Sequence, residues 1–222
     1  MKALARCVLE AIRARVRDRR LVVGVLCRSS LPLVEAIAAE GHRAIVVSDR
    51  FCTLLALQRR LALAAGGPTL LVEAPFDALP LAPASLDALV LAHGLPRQVR
   101  PPDDGDPADA GDPPQVARLR RLKTLLRPGG LLVWPHPVSE GRAGRVGRVL
   151  VPVRPAITRA SRRHELTAWT MRAGFGEVGQ RLARRRLTPW AVTTGSAGPR
   201  AGKPGRAGAA IAPGSAPRDP DR

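Results

Sequence analysis

Leu21–Asp49 reads LVVGVLCRSSLPLVEAIAAEGHRAIVVSD. Leu21–Leu26 is a continuous apolar run, the pattern of a parallel strand buried on both faces. Leu31–Glu40 carries helical periodicity and stops at Gly41, a residue suited to the left-handed position after a helix. Arg43–Ser48 is a second apolar strand, and Asp49 follows it directly. Strand, turn, helix, strand and a terminal acid form one half of a doubly wound α/β layout. In such sheets ligands sit beyond the carboxyl ends of the strands. The turn after the first strand is Cys27-Arg28-Ser29-Ser30, where a ligand-binding turn of this kind ordinarily carries glycines.

The same alternation continues along the chain. Residues 1–19 form an opening amphipathic helix, with Leu4, Val8, Ile12 and Val16 at helical spacing. Phe51–Ala65 is a helix, Thr69–Glu73 a third strand and Leu86–Ala92 a fourth. Pro101–Pro114 holds five aspartates and reads as a mobile loop. Gln115–Leu126 is a helix, Arg127–Gly130 a sharp turn and Leu131–Trp134 a fifth strand. Glu140–Arg154 is basic and glycine-rich, without regular structure. Arg162–Ala173 is a helix, and Val178–Arg184 with Pro189–Thr194 make a closing antiparallel pair. Strands joined through helices imply right-handed crossovers and a sheet covered on both faces. The expected fold is a three-layer, doubly wound, mostly parallel seven-stranded sheet with an antiparallel last strand. The folded domain is expected over residues 1–195. A basic tail over 196–222, rich in Gly, Ala, Pro, Ser and Arg, is expected to be disordered because it has almost nothing apolar to bury.

Composition narrows the function classes. The chain has 222 residues and a formal net charge of +18. Nearly all of its basic residues are arginines, with lysine only at Lys2, Lys123 and Lys203. Such charge favours anionic partners but chooses none of them, and it also fits a compositional bias on a solvated surface. No apolar run approaches the roughly 20 residues that cross a bilayer. Cys7, Cys27 and Cys52 form no paired spacing, which fits a reducing, cytoplasmic setting. The four histidines lack metal-ligand spacing, so no metal site is expected.

Three stretches resemble class I S-adenosylmethionine-dependent methyltransferases. Leu79-Pro80-Leu81-Ala82-Pro83-Ala84-Ser85-Leu86-Asp87 is similar to the family segment in which Leu-Pro precedes a short loop and an apolar-Asp pair opens the fourth strand. Leu125-Leu126-Arg127-Pro128-Gly129-Gly130-Leu131-Leu132-Val133 is similar to the family's helix-turn-strand. Ala173-Gly174-Phe175 closes the late helix as "AGF" does there. The resemblance implies a cofactor crevice around Leu26–Ser30, Asp49, Glu73–Asp77 and Ala92–His93, with S-adenosylmethionine as the cofactor. Asp87 is then structural. Asp49 lies 20 residues past Ser29, the spacing at which an acid accepts from ribose hydroxyls; the alternative role is a helix N-terminal acid. Where the family has an acid and three alternating glycines, this chain has Val23, Val25, Cys27 and Ser29, with Gly24 one residue out of step. The candidate cofactor-binding set is therefore Gly24, Cys27, Ser29, Asp49 and Asp77. Pro75 stands where the family often has an adenine-side acid, and Glu73 and Asp77 flank it. His93 is the candidate catalytic base, with His136 and His164 behind it.

Three readings follow. One is methyl transfer to a small-molecule acceptor, in which the protein positions the cofactor's methyl group. The second is a methyltransferase-fold module that has lost catalysis and binds or regulates. The third is a nucleic-acid-acting protein, suggested by Arg142, Arg145, Arg148, Arg154, Arg159, Arg162 and Arg163. It is disfavoured because only three phenylalanines and three tryptophans are available for stacking.

Overall fold

The run Leu21–Leu26 needs burial on both faces, and the sheet supplies it. In the computed structural model, which describes residues 2–15, 20–28, 31–62, 67–92, 112–137, 163–183 and 190–198, β1 (Val22–Leu26) is flanked on both sides by parallel strands. One neighbour is β2 (Arg43–Ser48) and the other is β4 (Leu86–Leu91). β3 (Thr69–Glu73) lies outside β2. β5 (Leu126–Pro137) continues the parallel set beyond β4. β7 (Trp190–Ala197) is inserted antiparallel between β5 and β6 (Gly176–Ala183). The order is β3-β2-β1-β4-β5-β7-β6. This is the expected seven-stranded, mostly parallel sheet with a reversed last strand.

Side chains alternate between two cores, as a strand's period of two requires. Val23, Val25 and Cys27 point into a core closed by α1 (Lys2–Arg15), α2 (Leu31–Ala39) and α3 (Phe51–Leu61). Leu26, Leu89, Leu91 and Leu132 point to the other face. There α4 (Pro114–Thr124) brings Val116, Leu119 and Leu122, and α5 (Arg163–Arg172) brings Leu166. Among the described residues, no helix is long and apolar enough to cross a membrane.

Several boundaries differ from the sequence expectation. Residues 16–19 and 63–66, at the ends of the expected helices 1–19 and Phe51–Ala65, lie outside the described residues, as do residues 93–111, 138–162, 184–189 and everything after 198. α4 starts one residue early because Pro114 suits the first helical turn, where its missing N–H costs nothing. Asp112, expected in a mobile loop, is anchored: its carboxylate accepts from Arg120 at 2.6 Å and pairs with Arg172 at 2.7 Å. β5 begins at Leu126 rather than Leu131. The Arg127–Gly130 segment is a bulge inside the strand, between the pairs Leu86↔Leu126 and Ala88↔Leu131. Gly129 there has φ +75°, which few other residues adopt, and Pro128 has no N–H to offer a ladder. The strand expected to close at Thr194 runs to Ala197. Ser196 pairs with Leu131 and Gly176, and Ala197 with Gly130. The domain end expected at 195 therefore falls within β7.

Asp87 ties three strands at their amino ends. Its Oδ2 accepts from the Val22 backbone N–H at 2.9 Å, and its Oδ1 accepts from Arg127 Nη1 at 2.8 Å. The first contact holds β1 to β4 and the second holds the β5 bulge to both. Replacing Asp87 with Ala leaves the Val22 N–H without this acceptor and Arg127 without its carboxylate. A loss of about 1–3 kcal/mol in urea unfolding is expected. A chain ended at Gly195 loses the last two residues of β7, both buried. It should unfold at lower urea than one ended at Gly198, by roughly 1–2 kcal/mol for two lost ladder positions.

Candidate functional site

The carboxyl ends of the central strands form the crevice expected of this layout. The ladder extends one residue past each strand: Cys27 N–H donates to Val47 O at 3.0 Å, Ala74 N–H to Ser48 O at 3.1 Å and Ala92 N–H to Leu26 O at 2.9 Å. These bonds set the floor. The residues that follow them stand at its rim, namely Arg28 after β1, Asp49 after β2 and Phe76-Asp77 after β3.

Arg28 and Asp49 face each other across the rim. Arg28 Nε donates to both Asp49 oxygens, at 3.0 Å each, and Arg28 Nη2 donates to Asp49 Oδ2. The guanidinium also lies over the Phe76 ring, 5.5 Å from its centroid. Its backbone is held from the other side, where Thr53 Oγ1 donates to Arg28 O at 2.7 Å. The turn after β1 thus supplies a side chain that covers the acid after β2. The alternative role for Asp49, capping α3, is not what its carboxylate does. The N-cap position is Arg50, which makes no side-chain cap hydrogen bond.

Of the five candidate cofactor residues, Asp49 and Asp77 stand at the rim, Asp77 exposed to solvent. Cys27 is at the floor, and its side chain turns fully into the core beneath α2. Gly24 is not at the crevice. It lies in mid-β1, paired with Ile45 and Leu89. A Cβ there would meet Leu86 Cδ1 at 2.7 Å and Leu89 Cδ1 at 3.1 Å. Its glycine is needed for strand packing against large leucines, so the expectation that it contacts cofactor is corrected. Ser29 and His93 lie outside the described residues, as do Arg142, Arg145, Arg148, Arg154, Arg159 and Arg162. His136 is buried with its ring 5.7 Å from Trp134, which stacks on Trp169, and His164 is exposed on α5.

One residue of the crevice escaped sequence reading. Arg118, on α4, is 8% exposed. Burial pushes its guanidinium down from arginine's ordinary range; Asp77 pulls it back, Arg28 and Arg121 push it further down, and Asp49 pulls it up. These charges place it with the rim residues of β1, β2 and β3. Among the described residues, its Nε and Nη1 donate to no group. The available signal was its position four residues before Leu122, at the edge of the helix's apolar stripe.

The same architecture recurs in solved structures. The S-adenosylmethionine-dependent methyltransferase SibL, in its apo form, matches with a TM-score of 0.61 at 19% identity, over 86% of this chain and 55% of that one. This chain thus spans about half of SibL's length. A putative methyltransferase from Bacillus halodurans C-125 matches with a TM-score of 0.63 at 8% identity, over 86% of this chain and 99% of that one. The 1,6-didemethyltoxoflavin-N1-methyltransferase of Burkholderia thailandensis, solved with 1,6-didemethyltoxoflavin and S-adenosylhomocysteine bound, matches with a TM-score of 0.57 at 18% identity, over 87% and 78%. No protein-family model matches the chain, and no curated protein matches its sequence. Its strand order, its reversed β7 and these neighbours agree: the chain has the fold of the class I S-adenosylmethionine-dependent methyltransferases.

Proposed function

We propose that this chain is a methyltransferase-fold binding module whose crevice takes a small ligand, and whose S-adenosylmethionine site is closed by Arg28. The observation that carries this reading is the two-toothed pairing of Arg28 with Asp49. A ribose diol needs the carboxylate oxygens as acceptors. Here both accept from one guanidinium. The same guanidinium lies over the Phe76 ring. The residues as arranged do not fit the cofactor. The positions that replace the family's acid and first two glycines are Val23, Val25 and Cys27, and all three fill the core.

A second reading is supported by the place of Asp49 itself, at the carboxyl end of β2 beside β1. In that reading the chain transfers a methyl group from S-adenosylmethionine to a small-molecule acceptor, and Arg28 leaves Asp49 when cofactor arrives. The side chains of the pair are 34% and 25% exposed. An ion pair that solvated is worth about 0–1 kcal/mol, so separating it costs little.

Calorimetric titration with S-adenosylmethionine and S-adenosylhomocysteine separates the readings. The binding-module reading expects the unmodified chain to bind both more weakly than the micromolar range of enzyme substrates. Arg28→Met, which uncovers Asp49, should then bind S-adenosylhomocysteine more tightly by up to about fivefold, the most that removing a pair worth about 1 kcal/mol can return. Adding Asp49→Ala should remove that gain. Micromolar binding by the unmodified chain, or no gain in Arg28→Met, overturns the closed-site reading. The thermal midpoint of Arg28→Met should stay near that of the unmodified chain, given the small worth of so exposed a pair.

A further inference from the structure

A buried arginine differs from a buried lysine or histidine in one respect: it cannot shed its proton. Its charge must be met by an anion or by hydrogen-bond acceptors. Arg118 is more than nine-tenths buried, and among the described residues its Nε and Nη1 have no acceptor. The described carboxylates that act on it are Asp77 and Asp49. Asp77 is exposed to water, and Asp49 is already committed to Arg28. Arg28 and Arg121 add positive charge to the same neighbourhood. Among the described residues, Arg118, Arg28 and Arg121 stand against Asp77 and Asp49, and the donors left over are on the Arg118 guanidinium. Phe76, buried beside Arg28, gives the rim an apolar wall.

We infer that Arg118 anchors an oxyanion-binding site in the crevice, taking a small ligand through a carboxylate or a phosphate group. Guanidinium nitrogens suit both, and charge-assisted hydrogen bonds to oxyanions are the strong ones. The same charges oppose a sulfonium. The inference rests on the reading above that the crevice is a ligand site, and it names the ligand's chemistry. Its test uses no nucleoside, so its failure is distinct from any result with S-adenosylmethionine.

The test is thermal unfolding of the full chain at constant ionic strength, with sodium chloride replaced stepwise by inorganic phosphate or by acetate. Phosphate also stabilises proteins by exclusion from their surface. The readout is therefore the difference between the unmodified chain and Arg118→Met. The unmodified chain should gain midpoint with at least one of the two ions in a saturable way. Arg118→Met should lose the saturable part and unfold no earlier in chloride, because the substitution removes a buried charge that lacks partners. Response to phosphate above acetate assigns a phosphate-bearing ligand; the reverse assigns a carboxylate. If Arg118→Met does not fold, calorimetry on Arg118→Lys serves. A point charge should bind the same ion about fivefold or more weakly than the planar guanidinium. An equal response in the unmodified chain and Arg118→Met, equal affinity in Arg118→Lys, or no saturable response to either ion overturns the inference.

Discussion

The carboxylate of Asp87 is the constraint on which the sheet depends. A parallel sheet has no hairpin to set its register, so each strand must be placed by contacts distant in sequence. Asp87 does this for three strands at once, through the Val22 N–H and Arg127. It fixes where β1 begins beside β4, and where the β5 bulge sits against both. Every residue of the crevice is counted from those starting points. Arg28, two residues past the end of β1, meets Asp49, one residue past β2, only because the register Leu26↔Val47 brings the strand ends level.

The two ends of the sheet carry the same chemical pair. At the amino ends, Asp87 and Arg127 join elements that would otherwise slip. At the carboxyl ends, Arg28 and Asp49 join the residues that follow two neighbouring strands. That pairing follows from how the end of β1 is packed. Val23, Val25 and Cys27 satisfy the core beneath α2, so their bulk is absorbed inward and the strand stays regular. Arg28 falls on the next position, past the floor bond from Cys27 to Val47, and its side chain has only the rim to occupy. Packing thus explains how the strand stays regular, and electrostatics explains what Arg28 does to the site.

Charge in this protein is not uniform background. Most of the described arginines stand exposed to solvent, where a compositional bias costs little. Arg118 is different, since a buried cation must be compensated or destabilise the fold. It sits within reach of the charges of Asp77, Arg28 and Asp49, near where ligands enter sheets of this kind.

Much of the fold was legible from the chain alone. The apolar run Leu21–Leu26, the apolar stretch of β2 and the helical stripes between them have only one economical burial, because each pattern repeats at a period that belongs to one element. Asp49 was legible too, from its spacing after the first turn, and the structural role of Asp87 from its place at the opening of a strand. Three features were not. The Arg127–Gly130 segment reads as a turn, yet the partner strand makes it a bulge within β5. Gly24 reads as a candidate cofactor contact, yet Leu86 and Leu89, more than sixty residues away in sequence, fill the space of its missing side chain. Arg118 reads as one more basic residue on a basic helix. Sequence periodicity determined which residues form strands and helices, because that follows from local geometry and burial. Only the tertiary structure decided that Arg28 covers Asp49 and that Arg118 is buried with donors to spare, because both depend on which strand ends and helix faces meet, and no local pattern encodes that distance.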